Sequence, residues 1–255
     1  MSGKKSTKEA VEIIIREIKR GQISARIVGQ TGLYFNSMSN KAKRDLLLGA
    51  KRKTAAEKQE IKHNPEMEFR SSMHTHSDKD TLLCFPAAGV KCAMATAALE
   101  TAGVNKTSVN RNIFLPQSNI KIWGKPYLKI DIVRSADMNR TPDMRTRAFL
   151  PHWCAEVEIV FSVPTFGARD IFSLLANAGQ LIGIGDFRQE KGRGGFGTFN
   201  VTSSEDMGEF EEDWELITQE DRAVQQAAAD NPECFDDETR ELMTLVQEER
   251  IKRAA

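Results

Sequence analysis

The chain has 255 residues, 40% of them apolar and 28% charged, with 36 basic and 36 acidic side chains. No run of about 18 apolar residues occurs, which excludes a membrane-spanning helix, and the opening MSGKKSTKEA lacks the apolar stretch of a secretion signal. Four cysteines, Cys84, Cys92, Cys154 and Cys234, stand without CxxC spacing, so reduced thiols in a cytoplasmic protein are expected rather than a disulfide framework or thiolate metal site.

The zero net charge is an average over two unlike parts. Residues 204–255 hold 17 acidic and 5 basic side chains, a net of −12, which leaves 19 acidic and 31 basic in the rest, a net of +12. A basic body points to a polyanionic partner, most simply nucleic acid. The acidic tail is expected to screen that surface or to dock a protein partner, with Trp214 as an anchor.

VEIIIREI at 11–18 reads as a short helix or a strand, and ISARIV at 23–28 alternates Ile23, Ala25 and Ile27 as a strand does. Residues 41–62 carry eight cations and three anions with good helix propensity apart from Gly49, and 63–80 reads as an irregular insertion. The clearest helix lies within 82–103, started by Pro86, stopped by Gly103 and bearing a small-residue face of Val90, Met94, Ala97 and Ala98. IKIWG at 120–124 is apolar, and YLKIDIV at 127–133 alternates as a strand. Residues 134–148, with Arg134, Arg140, Arg145 and Arg147 around Pro142, read as an arginine-rich excursion between strands. AEVEIVFSV at 155–163 alternates strictly, and ARDIFSLLANAG at 168–179 is an amphipathic helix closed by Gly179.

The core elements, with strands at 23–29, 127–133, 155–163 and 197–202 and helices at 87–102 and 168–178, give the order β-α-β-β-α-β. That is the order of an α+β ferredoxin-like or RRM-like fold. The expected organisation is a core over 1–203 with insertions at about 36–80 and 134–150, then an acidic, partly helical tail over 204–255.

GIGDFRQEKGRGGFGTFNV at 183–201 places Gly183, Gly185, Gly192, Gly194, Gly195 and Gly197 among Arg188, Lys191 and Arg193. Glycines let a ligand backbone approach the main chain, and cations beside N–H groups suit phosphate. The segment lacks the GxxxxGK[ST] spacing of a nucleotide-hydrolysing loop. Phe187, Phe196 and Phe199 offer rings for base stacking or for the core, Phe199 by its strand position for the core. The arginines at 134–147 suit phosphate and base stacking, or salt bridges to a neighbouring subunit's acidic tail. His74, His76, Asp78 and Asp80 are too sparse for an assigned metal site, and no metal or cofactor is expected. His152 and Cys154 flank Trp153 without forming a recognisable nucleophile–base motif.

FPAAGVKCAMATAA at 85–98 resembles the helix-opening motif of the RAMP superfamily, the RRM-like proteins of CRISPR effector complexes. Phe85, Pro86, Gly89 and Lys91 fit it, whereas Ala87, Ala88 and Cys92 depart from the usual Gly, Ser and Gly. The glycine-rich segment 183–197 resembles the same family's loop near the last core strand. Both motifs are also similar to those of uncharacterised tailed-phage proteins, which implies a bacterial host cell. The resemblance implies a non-enzymatic subunit repeated along single-stranded RNA or DNA. It carries over Lys91, Arg188, Arg193 and the arginines of 134–147; Lys191, Gly192, Gly194, Gly195 and Phe196 join them from the loop's own chemistry. Two alternatives stand beside this: a viral assembly protein in which the basic body meets a neighbour's acidic tail, and an RNA-processing nuclease of the same superfamily.

Overall fold

In the computed structural model the described residues, 17–49, 61–77, 80–134, 140–191, 194–203 and 208–254, form two antiparallel sheets with helices packed around them. The strands are β1 (Lys19–Gly29), β2 (Leu33–Tyr34), β3 (Cys84–Pro86), β4 (Ile113–Phe114), β5 (Asn119–Trp123), β6 (Tyr127–Arg134), β7 (Pro142–Leu150), β8 (Cys154–Val163) and β9 (Phe199–Ser203). The helices are α1 (Asn40–Leu48), α2 (Pro65–Ser72), α3 (Ala87–Ala97), α4 (Lys106–Asn112), α5 (Ala168–Leu181), α6 (Glu211–Thr218), α7 (Arg222–Asp230) and α8 (Asp237–Ala254).

The main sheet has the order β3-β5-β8-β1-β9, with β4 on β8 as well. β1 is central because its alternation matches that of β8: Ile23 faces Ile159, Ala25 faces Val157 and Ile27 faces Ala155. These side chains point to one face, where α3 and α5 cover them. Ile171, Leu174, Leu175 and Ala178 recur at helical spacing on α5, and Val90, Ala93, Met94 and Ala97 do so on α3; all are buried in one core with the sheet. The small residues of α3 let the two helices approach closely.

The smaller sheet has the order β2-β7-β6 and corrects two sequence expectations. The strand expected at 127–133 exists, but as β6 it pairs with β7, from Tyr127 opposite Phe149 to Arg134 opposite Pro142. Its expected place beside β8 is taken by β5, with Ile122 opposite Ala155. Both segments alternate well, so periodicity alone cannot say which pairs with which. The turn at Gly124 (φ 129°) separates them and sends the chain to the second sheet. The stretch 142–150, expected inside an insertion, is the partner strand itself, and Thr146, Ala148 and Leu150 are buried. The region 36–80, also expected as an insertion, contributes α2 to the core: Phe69 is fully buried, and the Ser72 hydroxyl accepts from Ala148 N at 2.9 Å while donating to Phe69 O at 2.7 Å. The helix expected over 41–62 stops at Leu48, before Gly49 at φ 80°, and 50–60 lies outside the described residues, as does most of 11–18. The last strand starts at Phe199, two residues after its expected start.

Residues 208–254 are helices docked on the body. Their main fastener is Gln225, which is fully buried. Its Oε1 accepts from Leu82 N (2.8 Å) and Leu83 N (2.9 Å), and its Nε2 donates to Ile122 O (2.9 Å) and Gly124 O (3.1 Å). A single amide thus satisfies backbone groups of two segments that the sheet leaves unpaired. Farther on, Phe235 N donates to Leu128 O and Leu128 N to Glu233 O, and Arg250 of α8 makes a two-pronged pair with Glu66 of α2 (2.8 and 2.9 Å). Among the described residues no helix is long and apolar enough to cross a membrane.

Replacing Gln225 by Ala strands buried donors and acceptors, each costing about 1–3 kcal/mol, so urea unfolding is expected to show a loss of at least about 2 kcal/mol. The Arg250 hydrogen bond holds the Glu66 carboxyl below its usual range. A lowered folded-state value makes the tie fully present above the ordinary carboxylate range and lost as pH falls through the lowered value. Backbone hydrogen exchange in α8 is therefore expected to accelerate in acid before exchange in β8 does, and Arg250→Ala is expected to remove that pH dependence.

Candidate functional site

The glycine-rich segment folds against β2 and the β6–β7 hairpin, and its core is a buried cation. Arg147 is 2% exposed. Its guanidinium donates to Asp186 Oδ2 at 2.6 Å and approaches Asp131 Oδ2 at 3.5 Å. The Phe187 ring lies 4.2 Å from it and the Tyr34 ring 5.0 Å. Tyr34 donates to Asp131 at 3.2 Å and meets Phe149, Phe187 and Phe196 ring to ring. Lys129 lies over Phe149 and Phe235 at 5.2 and 4.8 Å. Burial is the main force on both titrating neighbours: it raises the Asp131 carboxyl, with Arg147 acting against it, and raises the Tyr34 phenol far above its usual value.

The glycines serve this packing. Asp186 N bonds Tyr34 O at 3.1 Å, Ile184 N bonds Gly197 O at 2.9 Å and Gly197 N bonds Gly32 O at 2.9 Å. Gly185 (φ 86°) and Gly197 (φ 72°) adopt left-handed backbone, and a Cβ on them would lie 2.7 Å from Tyr34 O and 1.8 Å from Ile184 O respectively. The close approach anticipated for a ligand is, at these two positions, an approach of the protein to itself.

Beside this cluster, three contiguous hollows meet beneath α1. The first, about 520 Å³, lies between α1, α2 and β7 and is lined by Asn36, Ser39, His63, Asp143, Arg145 and Arg147. The second, about 340 Å³, shares Ser37, Met38 and Ser71 with it and extends to Lys43, His74 and Asn119 at the edge of the main sheet. The third, about 640 Å³, opens toward Lys62 and Arg250. Together they form a cleft running from β5 to the hairpin, polar at the β5 end, mixed between α1 and β7, and largely apolar in the third hollow. Its acids are already engaged: His63 bridges Glu68 (2.9 Å) and Asp143 (3.2 Å), and Lys62 also pairs with Asp143, holding that carboxyl below its usual range. Lys43 and Arg145 line the cleft and make no ion pair with any described residue. His74, its ring near those of Phe35 and Phe85, is lowered by burial and then by Lys43, which keeps it neutral near pH 7.

The residues singled out in the sequence separate into groups. Arg145 lines the cleft, and Arg134 and Arg140 are exposed near the free end of the same hairpin. Arg147 is interior. Lys91 donates to Asn110 O at 3.0 Å, tying α3 to α4, and lines none of these hollows. Arg188 pairs with Glu190 at 2.9 Å and donates to Gly185 O. Phe196 is half-buried edge-on against Tyr34 and Phe149, and Phe199 is in the core. Gly194 is half-buried and Gly195 exposed. Lys191 ends a short 3-10 turn, and Gly192 and Arg193 lie outside the described residues, as does Asp78. Among the described residues no three metal-binding side chains cluster. His76 N bonds Leu82 O, and Asp80 pairs with Lys121. Lys43, Asn36 and Ser39 carry no signal in the sequence beyond the cation density of 41–62.

No protein-family model matches the chain, and no curated protein matches it. A solved structure, the cryo-EM structure of the Type III-B Cmr-beta bound to cognate target RNA, contains a chain that is similar at 12% identity with a TM-score of 0.39. The match covers 71% of this chain and 59% of that one, so this chain spans under two thirds of its neighbour's length.

Removing a partner from a buried ion pair leaves the other charge uncompensated and costs on the order of 3 kcal/mol. Arg147→Met is therefore expected to lower stability by about that much in denaturant titration. It is also expected to speed exchange of the amides of residues 184–187, while Arg145→Met changes neither.

Proposed function

We propose that this protein is a non-enzymatic single-stranded nucleic-acid-binding protein with an RRM-like core. Four strands of the main sheet, in the order β9-β1-β8-β5, with α3 and α5 as the two crossover helices, support the RRM-like part of the reading. The observation that carries the binding part is the cleft beneath α1. It is long and lined by serine and asparagine side chains, Asp143 in it is paired with Lys62 and Glu68 bonded to His63, and Lys43 and Arg145 make no ion pair with any described residue.

Phosphates fit the cations and the hydroxyl and amide donors of the cleft, with Arg134 and Arg140 extending the track along the hairpin. The glycine-rich segment acts indirectly: through Asp186, which accepts from Asn36 Nδ2 at 2.9 Å, it sets one end of the cleft. The reading extends to several copies along one strand, and it needs no metal, cofactor or reactive side chain.

Fluorescence anisotropy with labelled single-stranded RNA and DNA tests this. Affinity is expected to fall steeply with salt, because each neutralised phosphate releases counterions. Losing two phosphate contacts in Lys43→Ala/Arg145→Ala is expected to lower the salt slope by about 2 and weaken binding by about tenfold or more at low salt. Lys91→Ala is expected to bind as the wild type does. Absence of single-strand affinity at low salt, or equal affinity of the double variant, overturns the proposal.

A further inference from the structure

The second hollow of the cleft, about 340 Å³, differs from the first in its chemistry. No described residue lining it is acidic, whereas Glu68 and Asp143 line the first. Two cations border it from different helices. Lys43 of α1 makes no ion pair with any described residue, and its charge reaches the imidazole of His74, which burial lowers first and Lys43 second. Arg70 of α2 donates with Nε and Nη2 to the last carbonyls of α7, Ala229 O at 2.9 Å and Asp230 O at 3.0 Å, which leaves Nη1 without a partner among the described residues. The side chains of Ser37, Thr75 and Asn119 make no hydrogen bond with any described residue, so their donors stay free. Cys84 contributes a neutral thiol, pushed up to about 11 by burial.

This hollow is also where the cleft meets the main sheet. Its floor is paired backbone: Cys84 N donates to His74 O at 2.9 Å, Thr75 bridges to Leu83, and Pro86 lies opposite Asn119 where β3 joins β5. Pairing thus runs from residues 74–76 through β3 to β5 and closes the cleft on the sheet side. A phosphodiester inside a strand carries a single negative charge and two unesterified oxygens. A terminal phosphomonoester carries a charge of about −1.5 to −2 near pH 7 and three acceptor oxygens. Cations from two helices, hydroxyl and amide donors and a lining without carboxylates match the monoester, and the closed floor matches a strand that stops there. We propose that this hollow binds the phosphorylated end of a single strand, so that the protein recognises a strand terminus as well as its interior. The inference rests on the single-strand reading of the cleft and adds to it the place where the strand ends. Phosphate bound beside His74 offsets the charge of Lys43 and favours the imidazolium, which is a further donor to the same group.

The test uses the full chain and short single strands of the same sequence, labelled internally, with a 5′-phosphate, a 3′-phosphate or hydroxyls at both ends. One of the two phosphorylated strands is expected to bind about tenfold tighter than the hydroxyl-ended strand, the effect of an added charge-assisted contact. Asn119 is exposed, and Asn119→Asp, which places a carboxylate in the hollow, is expected to abolish that preference. By proton NMR, the preferred strand is expected to raise the titration midpoint of His74, whose signal is identified by its loss in His74→Gln, above the midpoint found with the hydroxyl-ended strand. Equal affinity of the three strands, a preference that survives Asn119→Asp, or a His74 midpoint indifferent to the terminal phosphate each overturns the inference. If the strands bind equally while inorganic phosphate alone raises the His74 midpoint, the hollow takes free phosphate and the strand-end assignment falls. If hydroxyl-ended strands bind and Lys43→Ala/Arg145→Ala weakens them, the cleft reading stands although the strand-end assignment has fallen. If none of the strands binds, the cleft reading falls and this inference with it.

Discussion

A guanidinium buried to 2% exposure between two carboxylates and two aromatic rings governs how the glycine-rich segment meets the β6–β7 hairpin. A charge taken out of water must find both opposite charge and hydrogen-bond acceptors, and Arg147 finds them in Asp131 and Asp186. Asp131 belongs to the neighbouring strand, but Asp186 belongs to a distant loop, so satisfying this one side chain brings the glycine-rich segment onto the hairpin. The tight backbone contacts of Gly185 and Gly197 follow from that placement. So does the position of Asn36, which Asp186 holds at the mouth of the cleft.

Charge separation along the chain is resolved in three dimensions by folding. The described part of the acidic segment, 208–254, lies on the body: Glu233 meets Lys125 and Asp236 meets Lys129, while in the opposite sense Arg250 of the segment meets Glu66 of the body. Exposed pairs of this kind contribute little individually. The larger contribution comes from Gln225 and from the apolar contacts of Trp214 and Ile217. The segment is thus fastened by burial and hydrogen bonding rather than by its charge.

Much of the architecture was legible because strict alternation and helical spacing are local signals. Residues 155–163 were read as a strand and form all but the first residue of β8; 168–178 was read as a helix and lies within α5. The pairing of 127–133 was not legible, since two alternating segments three residues apart compete for one sheet edge and only packing against α2 and α8 separates them. The site was legible in part. Arg145 was named and lines the cleft. Arg147, two residues on along the same strand, reads identically in sequence, yet it is interior because its neighbours across the strand and loop are carboxylates and rings. Lys43 is not legible, because a lysine on a cationic helix carries no mark of which groove it will border.

From the residues themselves came the mixed α/β class, the long central strands, the covering helices and the division into a basic body and an acidic end. All of these depend on side-chain order within some twenty residues. The tertiary structure alone decided which arginines are structural and which face solvent, why the glycines are needed, and that the acidic end caps a sheet face. Each of those depends on which groups are taken out of water together, and the partners lie from about a dozen to well over a hundred residues away along the chain.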